Sequence, residues 1–144
     1  MIKPDGVQRA NIGNIIQSFE KRGFKLVAMK MCTPGEEQFK KHYAEHKDRP
    51  FFPRLVKFAA SSPVLAMVWE GDNVIQTGRK IIGATKDLDR NPGTVRGNLS
   101  LSTSNNLIHG SDSVESANAE INLWFKETEL TNYGDHSAKW VYEK

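Results

Sequence analysis

Val64-Leu-Ala-Met-Val-Trp69 is the longest apolar run in the chain, and Glu70-Gly71-Asp72-Asn73 closes it. The run has the length of a strand and falls far short of the ~20 apolar residues that a membrane helix needs. Beyond the turn, Val74, Ile75, Gly78, Ile81 and Ile82 recur along one helical face, and Gly83 ends the pattern. This strand, tight turn and amphipathic helix set the frame for reading the rest.

Upstream, Met1-Ile2-Lys3 reads as the tail of a strand running into a Pro4-Asp5-Gly6 turn, so Met1 need not be the natural start. Asn11 to Arg22 carries Ile12, Ile15, Ile16 and Phe19 at helical spacing, with Asn11 as N-cap and Gly23 as terminator. Phe24 to Cys32 is read as a strand, and Pro34-Gly35 as a turn. Glu36 to His46 is expected to be a helix with Phe39, His42, Tyr43 and His46 on one face, aromatics whose tips are polar. A third helix, with Pro50 in its first turn, holds Phe52, Leu55, Val56 and Ala59.

Downstream, periodicity fails from Ala84 to Asn106, where Gly, Pro, Asn, Ser and Thr dominate. A long loop inside a compact domain is usually functional. Leu107-Ile108-His109-Gly110 is then short and apolar, and Ser111-Asp112-Ser113 offers N-caps to a last helix with Val114, Ala117, Ile121 and Trp124. The C-terminal aromatics Trp124, Phe125, Tyr133, Trp140 and Tyr142 suit docking on the domain or on a neighbouring subunit. The element order fits an α+β, ferredoxin-like βαββαβ sandwich: an antiparallel four-stranded sheet covered by helices, with the long loop before the last strand. A doubly wound parallel sheet would need longer continuous apolar strands.

At 144 residues the chain is read as one domain, 1–144, long enough to bury roughly 70% of its unfolded surface. Cys32 is the single cysteine, which excludes a disulfide scaffold and suits a reducing compartment, the cytoplasm. Lys and Arg number 20 against 17 acids, a net +3 that suits anion handling but is no nucleic-acid signature. No membrane association is expected.

The chain has no Gly-x-x-x-x-Gly-Lys phosphate loop, no dinucleotide glycine fingerprint and no zinc spacing. A phosphate handler built this way must rely on side-chain cations and hydroxyls. Lys3, Arg79, Thr85, Arg96 and Asn106 flank turns or the long loop, where a solvated surface role is the ordinary reading for any one of them. His109 stands at a strand end, just before a helix start that attracts phosphate, and is a candidate nucleophile or acid/base. A satisfied structural histidine is the competing reading.

Met1-Ile-Lys-Pro-Asp-Gly-Val-Gln-Arg9, Asp48-Arg-Pro-Phe-Phe52, Met67-Val-Trp-Glu-Gly71, Pro92-Gly-Thr-Val-Arg-Gly97 and Asn106-Leu-Ile-His-Gly-Ser-Asp-Ser-Val-Glu-Ser116 together resemble the nucleoside diphosphate kinase family. The resemblance runs to Trp140-Val-Tyr-Glu143. It implies γ-phosphoryl transfer from a nucleoside triphosphate to a diphosphate in two half-reactions through phosphorylated His109. By the same resemblance Glu120 orients that histidine, with the Ser111 hydroxyl beside it. Lys3, Tyr43, Arg79, Thr85 and Arg96 surround the phosphates, and His46 matches a phosphate-contacting histidine of some members. Phe51 stacks on the base, Leu55 lines the same slot, and Asn106 with Lys3 reaches the ribose. Mg²⁺ arrives with the nucleotide, with no protein metal ligands. The implied assembly is a homo-oligomer, hexamer favoured over tetramer. A non-catalytic nucleic-acid- or protein-binding module on the same fold is the alternative; nucleic-acid binding is not expected. The chain departs from the family's common pattern at Lys86-Asp87, Asn98-Leu99 and Asn105, in the long loop and its flanks, which in the family also make subunit contacts.

Overall fold

The computed structural model describes residues 1–143; Lys144, included in the expected domain 1–144, lies outside the described residues. The strand pair at its centre is β1 (Lys25–Cys32) against β2 (Val64–Glu70), antiparallel, with Cys32 opposite Val64 and Lys25 opposite Glu70. A bulge between Leu26 and Ala28 interrupts the ladder. It breaks the period-two alternation, so Val27 and its neighbour Ala28 are both buried. Beyond it Met29 and Met31 face outward, each about half exposed.

The apolar run of β2 follows from cover on both faces. Val64, Ala66 and Val68 join a core with Phe39, Val56, Ala59 and Trp124. Leu65 joins a second core with Ile15, Phe19, Ile82 and Val95, on which Met67 and Trp69 pack. Polar residues therefore have no face to occupy. Phe39 and Ile15 are fully buried, and each such side chain stabilises the fold by about 1.5–3 kcal/mol.

The helices supplying these cores are α1 (Pro4–Gln8), α2 (Ile12–Arg22), α3 (Glu36–His42), α4 (Phe52–Ala59), α5 (Val74–Ile82), α6 (Val95–Leu99) and α7 (Val114–Trp124); α8 (Ala138–Val141) lies outside both. Gly23 ends α2 at φ 104°, and a Cβ there would meet Val141 Cγ1 at 2.7 Å, so glycine is required twice over. None of these helices is long and apolar enough to cross a membrane.

Several expectations need correction. The first and last strands of the expected sheet are each represented by a single bridging residue: Ile2 bridges Leu65 on one side and Ile108 on the other. Pro4 opens α1 directly after Lys3, which ends the first segment there, and Leu107 adopts φ 72°, which ends the extended run of the second on its N-terminal side. The Pro4-Asp5-Gly6 turn is the first part of α1. The helix expected over Glu36–His46 stops at His42 and gives way to a 3₁₀ turn, Ala44–His46. Pro53, not Pro50, lies in the first turn of α4. Asn11 stands at the start of α2, but its side chain makes no capping bond.

The stretch from Ala84 to Asn106 is not structureless. It holds a 3₁₀ turn, Asp87–Asp89, and α6, whose first turn is capped by Thr94 Oγ1 accepting from Gly97 N–H at 2.9 Å. Arg90 stitches the loop by donating to the carbonyls of Ala84, Thr85, Ser100 and Ser102 and to Asp87 Oδ1. Composition hides this because the order comes from one arginine collecting carbonyls, a pattern without periodicity.

Candidate active site

His109 sits where three segments meet. Its backbone N–H donates to Met1 O and its carbonyl accepts from Met1 N, both at 2.8 Å. Leu107, two residues earlier, is held at positive φ by Asp5 Oδ2, which accepts from Leu107 N–H at 3.0 Å, and by Lys3 N–H donating to Leu107 O at 2.9 Å. Gly6 permits the close approach, since a Cβ there would lie 2.7 Å from Leu107 O. The histidine ring is therefore aimed by the Lys3-Pro4-Asp5-Gly6 corner as much as by its own strand end.

Glu120 comes from α7. Ser113 and Ser116 cap that helix reciprocally: Ser116 N–H donates to Ser113 Oγ at 3.0 Å and Ser113 N–H to Ser116 Oγ at 3.1 Å. Two turns on, the carboxylate Oε1 meets His109 Nε2 in a short hydrogen bond. A carboxylate accepts, so Nε2 carries the proton and Nδ1 keeps its lone pair. Desolvation, then the positive charges of Lys3, Arg96 and Arg79, hold the His109 pKa well below the usual histidine value. The ring stays neutral with its side chain 22% exposed, open to a ligand.

The cations around it are fixed by the protein's own carbonyls. Arg96 is buried, donating to Ile108 O at 2.6 Å, Gly83 O at 3.0 Å and Asn106 O at 3.1 Å, with Thr85 Oγ1 at 3.4 Å. Burial first, then the charges of Arg90 and Arg79, lower its pKa to about 10, so it remains a cation. Lys3 is also buried, with Nζ donating to Asn106 Oδ1 at 2.7 Å. Burial and the nearby Arg96 charge lower it to about 8 against the pull of Asp5. Arg79 donates to Gly110 O at 2.9 Å. Tyr43 is buried, its hydroxyl has no hydrogen-bond partner among the described residues, and burial raises its pKa.

The other end of the site is looser. Phe51 is 50% exposed, and His46 and Leu55 are half-buried. The rings of His46 and Phe51 lie 5.5 Å apart, tilted by 56°. Lys3, Tyr43, His46, Phe51, Leu55, Arg79, Thr85, Arg96, Asn106, His109, Ser111 and Glu120 all line one cleft of about 890 Å³. That volume suits a small-molecule ligand. The structure does not join Ser111 to Glu120: among the described residues no hydrogen bond links them. Asp5, which holds Leu107, was not singled out in sequence; the Lys3-Pro4-Asp5-Gly6 run was its only trace. Arg54 also lines the cleft and carried no signal.

His42, His109 and Glu120 bring potential metal-ligand atoms within 4.8 Å of one another. The first of these does not have a lone pair to give. Trp124 Nε1–H donates to His42 Nδ1 at 2.9 Å, so a neutral His42 carries its proton on Nε2, the atom facing the cluster.

A family model for nucleoside diphosphate kinase matches residues 1–130. Over 142 residues the chain is 57% identical to nucleoside diphosphate kinase B of Mus musculus, covering 99% of this chain and 93% of that protein. Its fold superposes on a halophilic nucleoside diphosphate kinase from Halobacterium salinarum, solved in complex with CDP, with TM-score 0.94, 45% identity and coverage of 99% and 95%. A nucleoside diphosphate kinase family protein from Babesia bovis matches with TM-score 0.94 and 40% identity, over 98% of this chain and 95% of that one. With identity of this order running almost end to end, the chain belongs to the nucleoside diphosphate kinase family and is a phosphotransferase.

Proposed function

We propose that His109 Nδ1 is the nucleophile and that transfer is ping-pong. The observation that carries this reading is the Glu120 carboxylate on His109 Nε2, which leaves Nδ1 as the ring nitrogen without a partner among the described residues. In the first half-reaction the Nδ1 lone pair attacks the γ-phosphorus of a nucleoside triphosphate. The N–P bond forms, the bond to the β–γ bridging oxygen breaks, and the diphosphate leaves. Glu120 balances the charge that develops on the imidazole. In the second half-reaction a terminal oxygen of another diphosphate takes the phosphoryl group, and the N–P bond breaks.

Lys3, Arg79 and Arg96 neutralise the charge spread over the phosphoryl oxygens, and Tyr43 and Thr85 offer hydroxyls to the same chain of phosphates. His46 is assigned to the phosphates more weakly. Phe51 stacks on the base with Leu55 beside it, and Asn106 with Lys3 reaches the ribose. Ser111 completes the set at the mouth of α7. Mg²⁺ belongs to the substrate: the cleft acids are spoken for or scattered, with Glu120 on His109 and Asp112 accepting from Ser116 Oγ at 2.8 Å. An ion riding on phosphate oxygens needs no resident cage.

The same reading takes residues 1–144 as one domain, with a four-stranded antiparallel, ferredoxin-like sheet in the order β1, β2, Ile2, Ile108. The bridges of Ile2 to Leu65 and Ile108 support that order. It further takes the protein to be a cytoplasmic hexamer. Trp140, 83% exposed on α8, is suited to burial against another subunit. Three of the departures in the loop find partners within the chain: Asn98 Oδ1 accepts from Gly93 N–H at 2.9 Å, Asp87 pairs with Arg90 at 3.1 Å, and Leu99 packs on the second core.

Incubation with triphosphate labelled at the γ-phosphate tests the reading. Label retained on the protein, labile to acid and stable to base, and lost in His109→Ala, is the expected result. Label transfer by the alanine variant, or intersecting instead of parallel double-reciprocal lines, overturns it.

A further inference from the structure

We propose that His42 is a positioning residue for phosphoryl transfer, set by Trp124 so that its Nε2–H confronts the Glu120 carboxylate that holds His109. The inference rests on the reading of His109 as nucleophile. Its starting point is a buried group that this reading does not use. His42 is buried, its Nδ1 accepts from Trp124 Nε1–H at 2.9 Å, and its Nε2 has no hydrogen-bond partner among the described residues. An indole N–H can only donate, so the tautomer of His42 is dictated: lone pair on Nδ1, proton on Nε2.

That Nε2–H is directed at Glu120. Nε2 to Oε1 is 3.7 Å, beyond hydrogen-bond reach in this ligand-free state. Catalytic hydrogen bonds are often long without substrate and tighten as the reacting complex forms. Oε1 thus lies between two imidazole N–H groups, those of His42 and His109. The rings pack edge to face, with centroids 4.4 Å apart at 72°. Burial, with the neighbouring His109 as a further cause, lowers the His42 pKa to about 3, so the arrangement persists across working pH. A fixed donor on one side of Oε1 stabilises the carboxylate position from which it orients the His109 ring. As positive charge grows on that ring, the same carboxylate must stay in place to balance it. A metal at the triad is disfavoured by the same tautomer, which presents a proton where a ligand needs a lone pair.

Three measurements test this on the full chain. ¹⁵N-histidine NMR of the unsubstituted protein reads the tautomer directly: His42 is expected to be protonated on Nε2. His42→Phe keeps a ring of similar size without the donor. It should lower kcat roughly tenfold, in keeping with losing one donor to a charged group, with nucleotide KM nearly unchanged. His42→Gln should recover part of that loss by presenting an amide N–H. Trp124→Phe should reduce kcat in the same way, and the double variant Trp124→Phe/His42→Phe should be no slower than His42→Phe alone. Protonation of His42 on Nδ1, or a folded His42→Phe with unchanged kcat, overturns the proposal. If the phenylalanine variant does not fold, the tautomer decides. Failure of the underlying reading looks different: the unsubstituted enzyme would then form its phosphoprotein on a residue other than His109, whatever the tautomer of His42.

Discussion

The two ends of the cleft are built in opposite ways. Around His109 the functional groups are tied to the protein itself: Arg96 to three carbonyls, Lys3 to Asn106, Glu120 to the histidine. Around Phe51 they are not: the ring is half exposed, and the half-buried His46 stands beside it. Charge development in a transition state is stabilised best by groups that need not reorganise. A base that only has to be stacked on requires no such fixing, and an open aromatic face accepts any of them. The contrast assigns rate to the buried end and substrate tolerance to the exposed one.

Substitutions at the two ends should separate these roles. The largest effect is expected from His109→Ala, with turnover falling to background in a coupled assay while nucleotide still binds by calorimetry. Retained turnover would dissolve the contrast. Arg96→Ala comes next, because it removes a cation proposed to meet the phosphates and also leaves the carbonyls of Ile108, Gly83 and Asn106 without their donor. Stability should drop by about 3–5 kcal/mol in urea unfolding, as for breaking a buried charged network, together with a large loss of kcat. An Arg96→Ala protein as stable as the parent would mean that the phosphate end is not held by this residue.

Legibility followed the same division between local and distant causes. Helices α2 and α5 and strand β2 were readable because their apolar residues repeat at 3.6 or fill a strand-length run. The bulge at Val27, the positive φ of Leu107 and helix α6 were not. Their causes are contacts between segments far apart in sequence, such as Asp5 with Leu107, or a single arginine gathering carbonyls. The site behaved alike. His109 carried a signal in its own neighbourhood, and the family resemblance supplied the other cleft residues. That Lys3 reaches Asn106 across 103 positions, or that Trp124 sets the proton of His42 across 82, has no local trace.

A smaller effect, and a sharper one, concerns pH. Lys3 has a folded pKa of about 8 against an ordinary 10.5. Between those values the unfolded chain binds more protons than the folded one, so Lys3 makes stability rise with pH from about 8 to 10.5. Affinity is expected to run the other way, because the ammonium proposed to meet the phosphates is lost above about 8. Nucleotide KM should therefore climb above pH 8 as stability improves, and Lys3→Met should flatten both trends. Opposite slopes that persist in Lys3→Met would assign them to another group. The smallest effect belongs to the exposed end: Phe51→Ala should weaken all nucleotides by roughly 1 kcal/mol, the low end for stacking on an aromatic, with base preference unchanged. Selective loss for one base would show that edge contacts read the nucleotide there.

The central claim is that the buried end is built in advance to leave one nitrogen of one histidine free. The most direct measurement is ³¹P and ¹⁵N NMR of the protein, labelled with ¹⁵N-histidine and phosphorylated by nucleoside triphosphate alone. A single phosphohistidine at His109, with phosphorus coupled to Nδ1 and a proton retained on Nε2, is the result this structure requires. Phosphorus on Nε2, or on a residue other than His109, would contradict it.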